Sequence, residues 1–89
     1  MKSFVLKVSS PEGDLFYGEV AKLSVRGTEG DLAVMAGHIP FVSYVKPCDC
    51  KIELADGKER VGRIDGGVLT VSGEQTILLS GSFVWKDEA

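Results

Sequence analysis

The 89-residue sequence is poor in the residues that disulfide-bonded proteins, membrane-spanning proteins and enzymes with a nucleophile require. It contains one histidine, His38, and two cysteines, Cys48 and Cys50. Two closely spaced cysteines are too few for the disulfide framework of a small secreted domain. No apolar run approaches the ~20 residues of a membrane helix, and the short, lysine-interrupted start does not fit a signal peptide. We therefore expect a reducing compartment and no direct membrane insertion.

An excess of positive charge is also lacking. Ten lysines and arginines face thirteen aspartates and glutamates, for a formal net charge of −3, and the basic residues are scattered along the chain. Nucleic-acid binding and lipid-headgroup binding both favour clustered basic residues. The sequence therefore predicts no nucleic-acid partner and no polybasic membrane contact.

The sequence has no helical periodicity, and apolar side chains instead recur at every second residue in several segments. Residues 4–8, 21–26 and 50–55 alternate apolar with polar or small side chains, which is typical of half-buried β-strands. Turn residues separate these segments at short intervals, including residues 10–14, 65–67 and 72–74. Asp56-Gly57 predicts a hairpin with a type I′ turn. The sequence therefore predicts one all-β domain over residues 1–89. We expect a two-sheet β-sandwich, or flattened barrel, of about eight to ten short, mainly antiparallel strands.

The residue types that carry catalysis or bind metals are sparse. A nucleophile needs a base and an orienting group, and the single histidine has no partner motif near it. Cys48 and Cys50 share one face of a strand, where they are either two buried small residues or two ligands of a soft metal. Zinc would need two further ligands. We predict no catalytic residues, no metal and no cofactor.

Aromatic residues leave a second kind of function open. In an all-β domain, aromatic side chains serve the core or a protein interface more often than they bind sugars. A non-catalytic carbohydrate- or ligand-binding module is the alternative, with these candidate residues: Phe16, Tyr17, Tyr44, Phe83 and Trp85.

One stretch, residues 27–41, has an unusual combination of glycines, acids and a Gly37-His38-Ile39-Pro40 turn. It resembles the signature of the epsilon subunit of F-type ATP synthase. Three more segments match that family in order and spacing: residues 10–20, 45–47 and 65–71. Cys48, Ala36 and Asp65 depart from the family pattern at single turn positions.

The resemblance implies a β-sandwich of about ten strands and a mechanical role. The epsilon subunit is a non-catalytic part of the rotor, or central stalk, and couples the gamma subunit to the c ring during proton-driven ATP synthesis. We accordingly expect a peripheral protein on the cytoplasmic face of the energy-coupling membrane, as part of F1, and a monomer when isolated. The C-terminal helical hairpin of most family members is expected to be absent, so its brake on hydrolysis is not assigned.

The resemblance also implies the site residues. Glu29, Gly30 and Asp31 match the acidic loop that approaches the c ring in the family. His38, Ile39, Pro40, Phe41 and Val42 match the segment that packs against the gamma subunit.

Overall fold

The computed structural model describes residues 2–37 and 39–86, and every regular element among them is a β-strand. Seven strands follow in chain order: β1 (Phe4–Ser10), β2 (Gly13–Gly27), β3 (Gly30–Met35), β4 (Phe41–Leu54), β5 (Glu59–Val71), β6 (Thr76–Ser80) and β7 (Phe83–Trp85). The all-β prediction is therefore confirmed.

The strands form a closed, flattened barrel. Hydrogen-bonded neighbours run β1-β6-β5-β4-β2, and β1 pairs with β2 to close the ring. β3 adds to β2, and β7 adds to β5. β1 and β6 run parallel, whereas the other pairings are antiparallel. Closure leaves few free strand edges, which is how small all-β domains limit edge-to-edge aggregation.

The strands are fewer and longer than the sequence predicts. The described residues form seven strands instead of eight to ten, and β2, β4 and β5 have 15, 14 and 13 residues. These long strands bend and serve both layers: β2 pairs with β1 through its first half and with β3 through its second. At Asp65-Gly66-Gly67, where turn residues predict a break, β5 continues without interruption.

The hairpin between β4 and β5 is correctly placed by the sequence, but its turn type is wrong. Gly57 has φ of 92°, and no residue other than glycine has positive φ in the described chain. A type I′ turn needs positive φ at both central residues, so Asp56 excludes it. Instead Gly57 N–H donates to Leu54 O at 3.0 Å, which makes Ala55 and Asp56 the turn centre and Gly57 a glycine bulge.

The core lies between the two layers and is apolar. Inward side chains from both layers are buried below 2% exposure, including Leu6, Leu23, Ile52, Ile64, Leu69 and Leu78. No buried side-chain nitrogen or oxygen of the described residues lacks a hydrogen-bond partner. A close-packed interior without unsatisfied polar groups resists deformation.

Candidate functional site

The acidic residues that the family resemblance places near the c ring lie on the hairpin between β2 and β3, which has a two-residue loop. Gly27 pairs with Gly30, so Thr28 and Glu29 form the tip, and Gly30 has φ of 130°. Glu29, Gly30 and Asp31 are all exposed, as an interface loop requires. Asp31, however, lies on the strand and accepts a hydrogen bond from Arg26 Nε at 3.2 Å. The acid that projects from the tip is therefore Glu29.

The second predicted group leads into β4. Ile39 and Pro40 are exposed and Val42 is 68% exposed, whereas Phe41 is half-buried and packs against the core. His38 lies outside the described residues. The structure therefore packs Phe41 against the core and leaves the side chains of Ile39, Pro40 and Val42 exposed.

The two predicted groups are separated along β4. Gly27, at the base of the hairpin, pairs with Val45, four residues beyond Phe41. Four residues of strand span roughly 13 Å. One rigid strand therefore connects the two regions, so that they can contact different partners.

Val42 belongs to a larger exposed surface, which we call the apolar face. Two rows of outward side chains cross β4, β5 and β6: Val42, Thr70 and Ile77 in one, and Tyr44, Val68 and Leu79 in the other. Tyr44 is 71% exposed and Leu79 is 50% exposed. The first row continues across Lys7 to Tyr17, which is 67% exposed. Contiguous exposed apolar side chains on a soluble domain mark an interaction site.

Most residues of the apolar face are not among the site residues predicted from the sequence. The signal is present in residues 41–45, where apolar side chains occupy both faces of the strand instead of alternating with polar ones. A strand with two apolar faces is covered on both sides, and here the domain itself covers only one of them. Val68 and Leu79 could not be added from sequence, because the strand register that places them beside Tyr44 is tertiary.

The outer surface of the other layer is charged. Asp49, on β4, accepts hydrogen bonds from Lys86 Nζ at 3.1 Å and from Arg63 Nη1 at 3.4 Å. The hydrogen bond from Lys86 is the main cause that lowers the pKa of the Asp49 carboxyl below its usual value, against partial desolvation. Mixed charges of this kind keep a surface solvated. The two outer surfaces of the barrel thus differ in character.

The cysteine pair is buried in the wall of β4. Both thiols are free, and burial, reinforced by the neighbouring Cys48, raises the pKa of the Cys50 thiol to about 12. Within residues 2–37 and 39–86, no three histidine, cysteine or acidic side chains meet as a metal-binding group. Cys50 stays protonated near neutral pH, and a protonated thiol is a poor nucleophile.

Comparison with known proteins decides the family. The family described as "ATP synthase, Delta/Epsilon chain, beta-sandwich domain" matches residues 3–86. The chain belongs to this family. It is 33% identical to the ATP synthase epsilon chain, sodium ion specific, of Acetobacterium woodii over 98% of its own length and 65% of that protein. The predicted family resemblance is therefore confirmed.

Two solved ATP synthase structures contain chains with the same fold. A chain of the Euglena gracilis mitochondrial ATP synthase matches with a TM-score of 0.90 at 24% identity, over 98% of this chain and 56% of that one. A chain of the Tetrahymena thermophila central stalk and c ring matches with a TM-score of 0.74 at 12% identity, over 92% of this chain and 66% of that one. At these identities the likeness concerns the fold. The chain spans less than two thirds of each relative's length.

The epsilon-type domain described here holds no helix that is long and apolar enough to cross a membrane. The candidate site comprises two exposed surfaces: the apolar face, extended by Ile39 and Pro40, and the acidic hairpin tip. Among the described residues, neither surface brings together the nucleophile, base and orienting group that covalent catalysis needs.

Proposed function

We propose that this chain is the epsilon-type subunit of the central stalk in an ion-driven ATP synthase. In this role it is non-catalytic and peripheral, on the cytoplasmic face of the membrane as part of F1. It would connect the gamma subunit to the c ring, so that rotation of the ring reaches the catalytic head. Membership of the family supports the role, since the rotor assignment is that of the epsilon chain.

The apolar face is the observation that carries the gamma-subunit contact. Val42 and Tyr44 on β4 and Leu79 on β6 present exposed apolar surface, with Val68 of β5 between the two strands. Ile39, 74% exposed, lies at one end of this surface. Burying such side chains stabilises a complex by roughly 25 cal/mol per Å² before the costs of association. Tyrosine at the centre of a patch is a common binding hot spot.

The hairpin tip supports the c-ring contact. Glu29 is exposed at the end of a two-residue turn, and Arg26 and Asp31 pair across the two strands that carry it. An exposed carboxylate at an interface rim sets orientation and association rate more than affinity. We therefore propose Glu29, Gly30 and Asp31 as the ring-facing group, with Glu29 making the direct charge contact.

The proposed coupling ion is the proton, as the family resemblance implies. The Acetobacterium woodii relative is named as sodium ion specific. ATP synthesis by the assembled complex, driven by an imposed proton gradient in sodium-free buffer, would support the proton. ATP synthesis that requires added sodium would instead identify sodium as the coupling ion.

A carbohydrate-binding module has no comparable support. The Trp85 ring, on which a sugar would stack, contacts Phe83 and Phe16 edge-on, with centroids 4.8 and 6.1 Å away. The guanidinium of Arg60 lies 3.6 Å from the ring centroid. Through these contacts the Trp85 ring packs β7 against the barrel, so we do not propose a sugar site there.

The gamma contact is tested by Tyr44→Lys, which places a charge at the centre of the apolar face. Association with the gamma subunit of the same organism is measured by size-exclusion chromatography and calorimetry. Loss of a hot-spot residue predicts binding weaker by ~30-fold or more. Met35→Lys is the matched control, because Met35 is 55% exposed on β3 and outside the face. Equal gamma binding by Tyr44→Lys and the parent would contradict the proposal.

The ring contact is tested separately, with Glu29→Lys. This variant should bind the gamma subunit as the parent does, but it should bind complexes that contain the c ring more weakly than the parent. The loss of c-ring binding should be larger at low ionic strength, where charges are screened less. Glu74→Lys, on an exposed loop between β5 and β6, is the control for net charge. If Glu29→Lys and Glu74→Lys retain c-ring attachment equally, the hairpin tip does not face the ring.

A further inference from the structure

A break in the ladder between β2 and β4 opens a groove on the charged layer. Ser24 pairs with Lys51 and Gly27 pairs with Val45, so three steps along β2 correspond to six along β4. The extra β4 residues include Pro47, which has no N–H to donate. Arg26 N–H donates to Cys48 Sγ at 3.4 Å in place of a ladder bond. The strands separate here, and the groove between them has a volume of about 690 Å³.

Basic side chains from three strands line this groove. Arg26 comes from β2, Lys51 from β4 and Arg63 from β5. With Lys86, which reaches Asp49 from beyond β7, the groove and its rim carry four cationic side chains against two carboxylates, Asp31 and Asp49. The whole chain carries a net charge of −3. The groove is therefore a local positive region on an acidic protein.

Much of the hydrogen-bonding capacity of these cations is unused within the described chain. Arg26 contacts Asp31 through Nε, at 3.2 Å, and Arg63 contacts Asp49 through Nη1, at 3.4 Å. A guanidinium has five N–H donors, in a fork that matches two oxygens of one anion. Lys51 makes no ion pair with the described residues. An entering anion would therefore find donors on three sides without displacing either carboxylate.

We propose that this groove binds a small multivalent oxyanion of the phosphate class. Its volume is within the ~300–1,000 Å³ typical of small-molecule sites, and paired guanidiniums with a lysine suit phosphate oxygens. The described lining contains no aromatic ring on which a nucleobase could stack. Recognition therefore rests on the oxyanion groups. The proposal does not rest on the rotor assignment: the groove lies apart from the apolar face and shares only Asp31 with the proposed ring-facing group.

The test is a titration of the full chain with pyrophosphate at low ionic strength, followed by amide chemical shifts and calorimetry. Saturable shifts should appear at residues 24–26, 48–51 and 63. Sodium chloride at matched ionic strength is the reference, since unspecific screening would shift both samples alike. Shifts that do not saturate, or that the salt reproduces, would overturn the proposal.

Two variants change the affinity in opposite directions. Lys51→Glu reverses one of the three lining cations and should weaken pyrophosphate binding by about tenfold or more, while Lys22→Glu, exposed on β2 and outside the groove, is the matched control. Asp49→Asn removes a competing carboxylate from Arg63 and Lys86 and should tighten binding several-fold. Misfolding cannot mimic such a gain. Equal affinities for the parent, Lys51→Glu and Asp49→Asn would rule out this site.

Discussion

Gly67 occupies the tightest glycine position of the barrel, and its replacement by alanine is a sharp test of the fold. On β5, Gly67 pairs with Val45 of β4 on one side and Ser80 of β6 on the other. A Cβ built at Gly67 would overlap the carbonyl oxygen of Leu79 and lie 3.1 Å from its carbonyl carbon and 3.2 Å from Ser80 Cα. These are backbone atoms within a ladder, so no side-chain rotation relieves the contact.

The expected cost follows from what must move. Overpacking a well-packed site costs roughly 1–3 kcal/mol, and Gly67→Ala also displaces the ladder between β5 and β6, so we expect about 3 kcal/mol. Domains of this size are stable by only ~5–13 kcal/mol. The melting temperature should therefore fall by roughly 10–25 °C. Because Leu79 belongs to the apolar face, gamma-subunit binding should weaken as well.

Gly73→Ala is the control for the loss of a glycine. A Cβ at Gly73 meets no atom within 4 Å, and Gly73 has no left-handed φ. Alanine there should leave stability unchanged or raise it by up to ~1 kcal/mol, since it restricts the unfolded chain. Both variants are compared by urea denaturation and thermal melting. A Gly67→Ala protein within ~0.5 kcal/mol of Gly73→Ala would refute the steric argument.

Two further predictions concern titratable groups. Because the pKa of Asp49 is lowered in the folded protein, its contribution to stability is present above the ordinary value of 3.8 and is lost as pH falls through the folded pKa. Asp49→Asn should therefore lower the urea midpoint at pH 7 and approach the parent well below pH 3.8; a deficit that persists in acid would point to a different cause. In a Cys48→Ser background, Cys50, fully buried with a raised pKa, should react with a thiol reagent at least ~1,000-fold more slowly than in urea-unfolded chain. Rates within tenfold of each other would show that the thiol is accessible.

The fold class could be predicted from the sequence because it depends on local features of the chain. Alternation with a period of two identifies strands, and glycines at Gly13, Gly30, Gly37 and Gly57 adopt positive φ at or beside the predicted turns. These features depend on neighbours in the chain, so they survive without tertiary information. Gly66 is the exception: its φ of 107° lies inside β5, at the step where a turn was expected. Turn residues can bend a strand as well as end it.

Among the predicted site residues, some have positions set by local features and others make contacts set by the tertiary structure. Glu29 and Val42 are exposed because both stand at positions fixed by a turn or by strand alternation, and their interface roles stay predictions. Phe41 and Asp31 take other contacts, one with the core and one with Arg26. Those contacts depend on which strand lies alongside, and the sequence does not specify the neighbour.

By itself, the sequence determined an all-β domain of the delta/epsilon family and the places where its hairpins turn. Only the tertiary structure decided which surfaces those strands create. Closure of the barrel aligned Tyr44 with Val68 and Leu79, which are 24 and 35 residues away, and made one apolar face. The ladder break gathered Arg26, Lys51 and Arg63, which appear scattered in the chain, around one groove. The physical reason is that strand register is set by the summed packing of the whole core, whereas turns and alternation are set within a few residues.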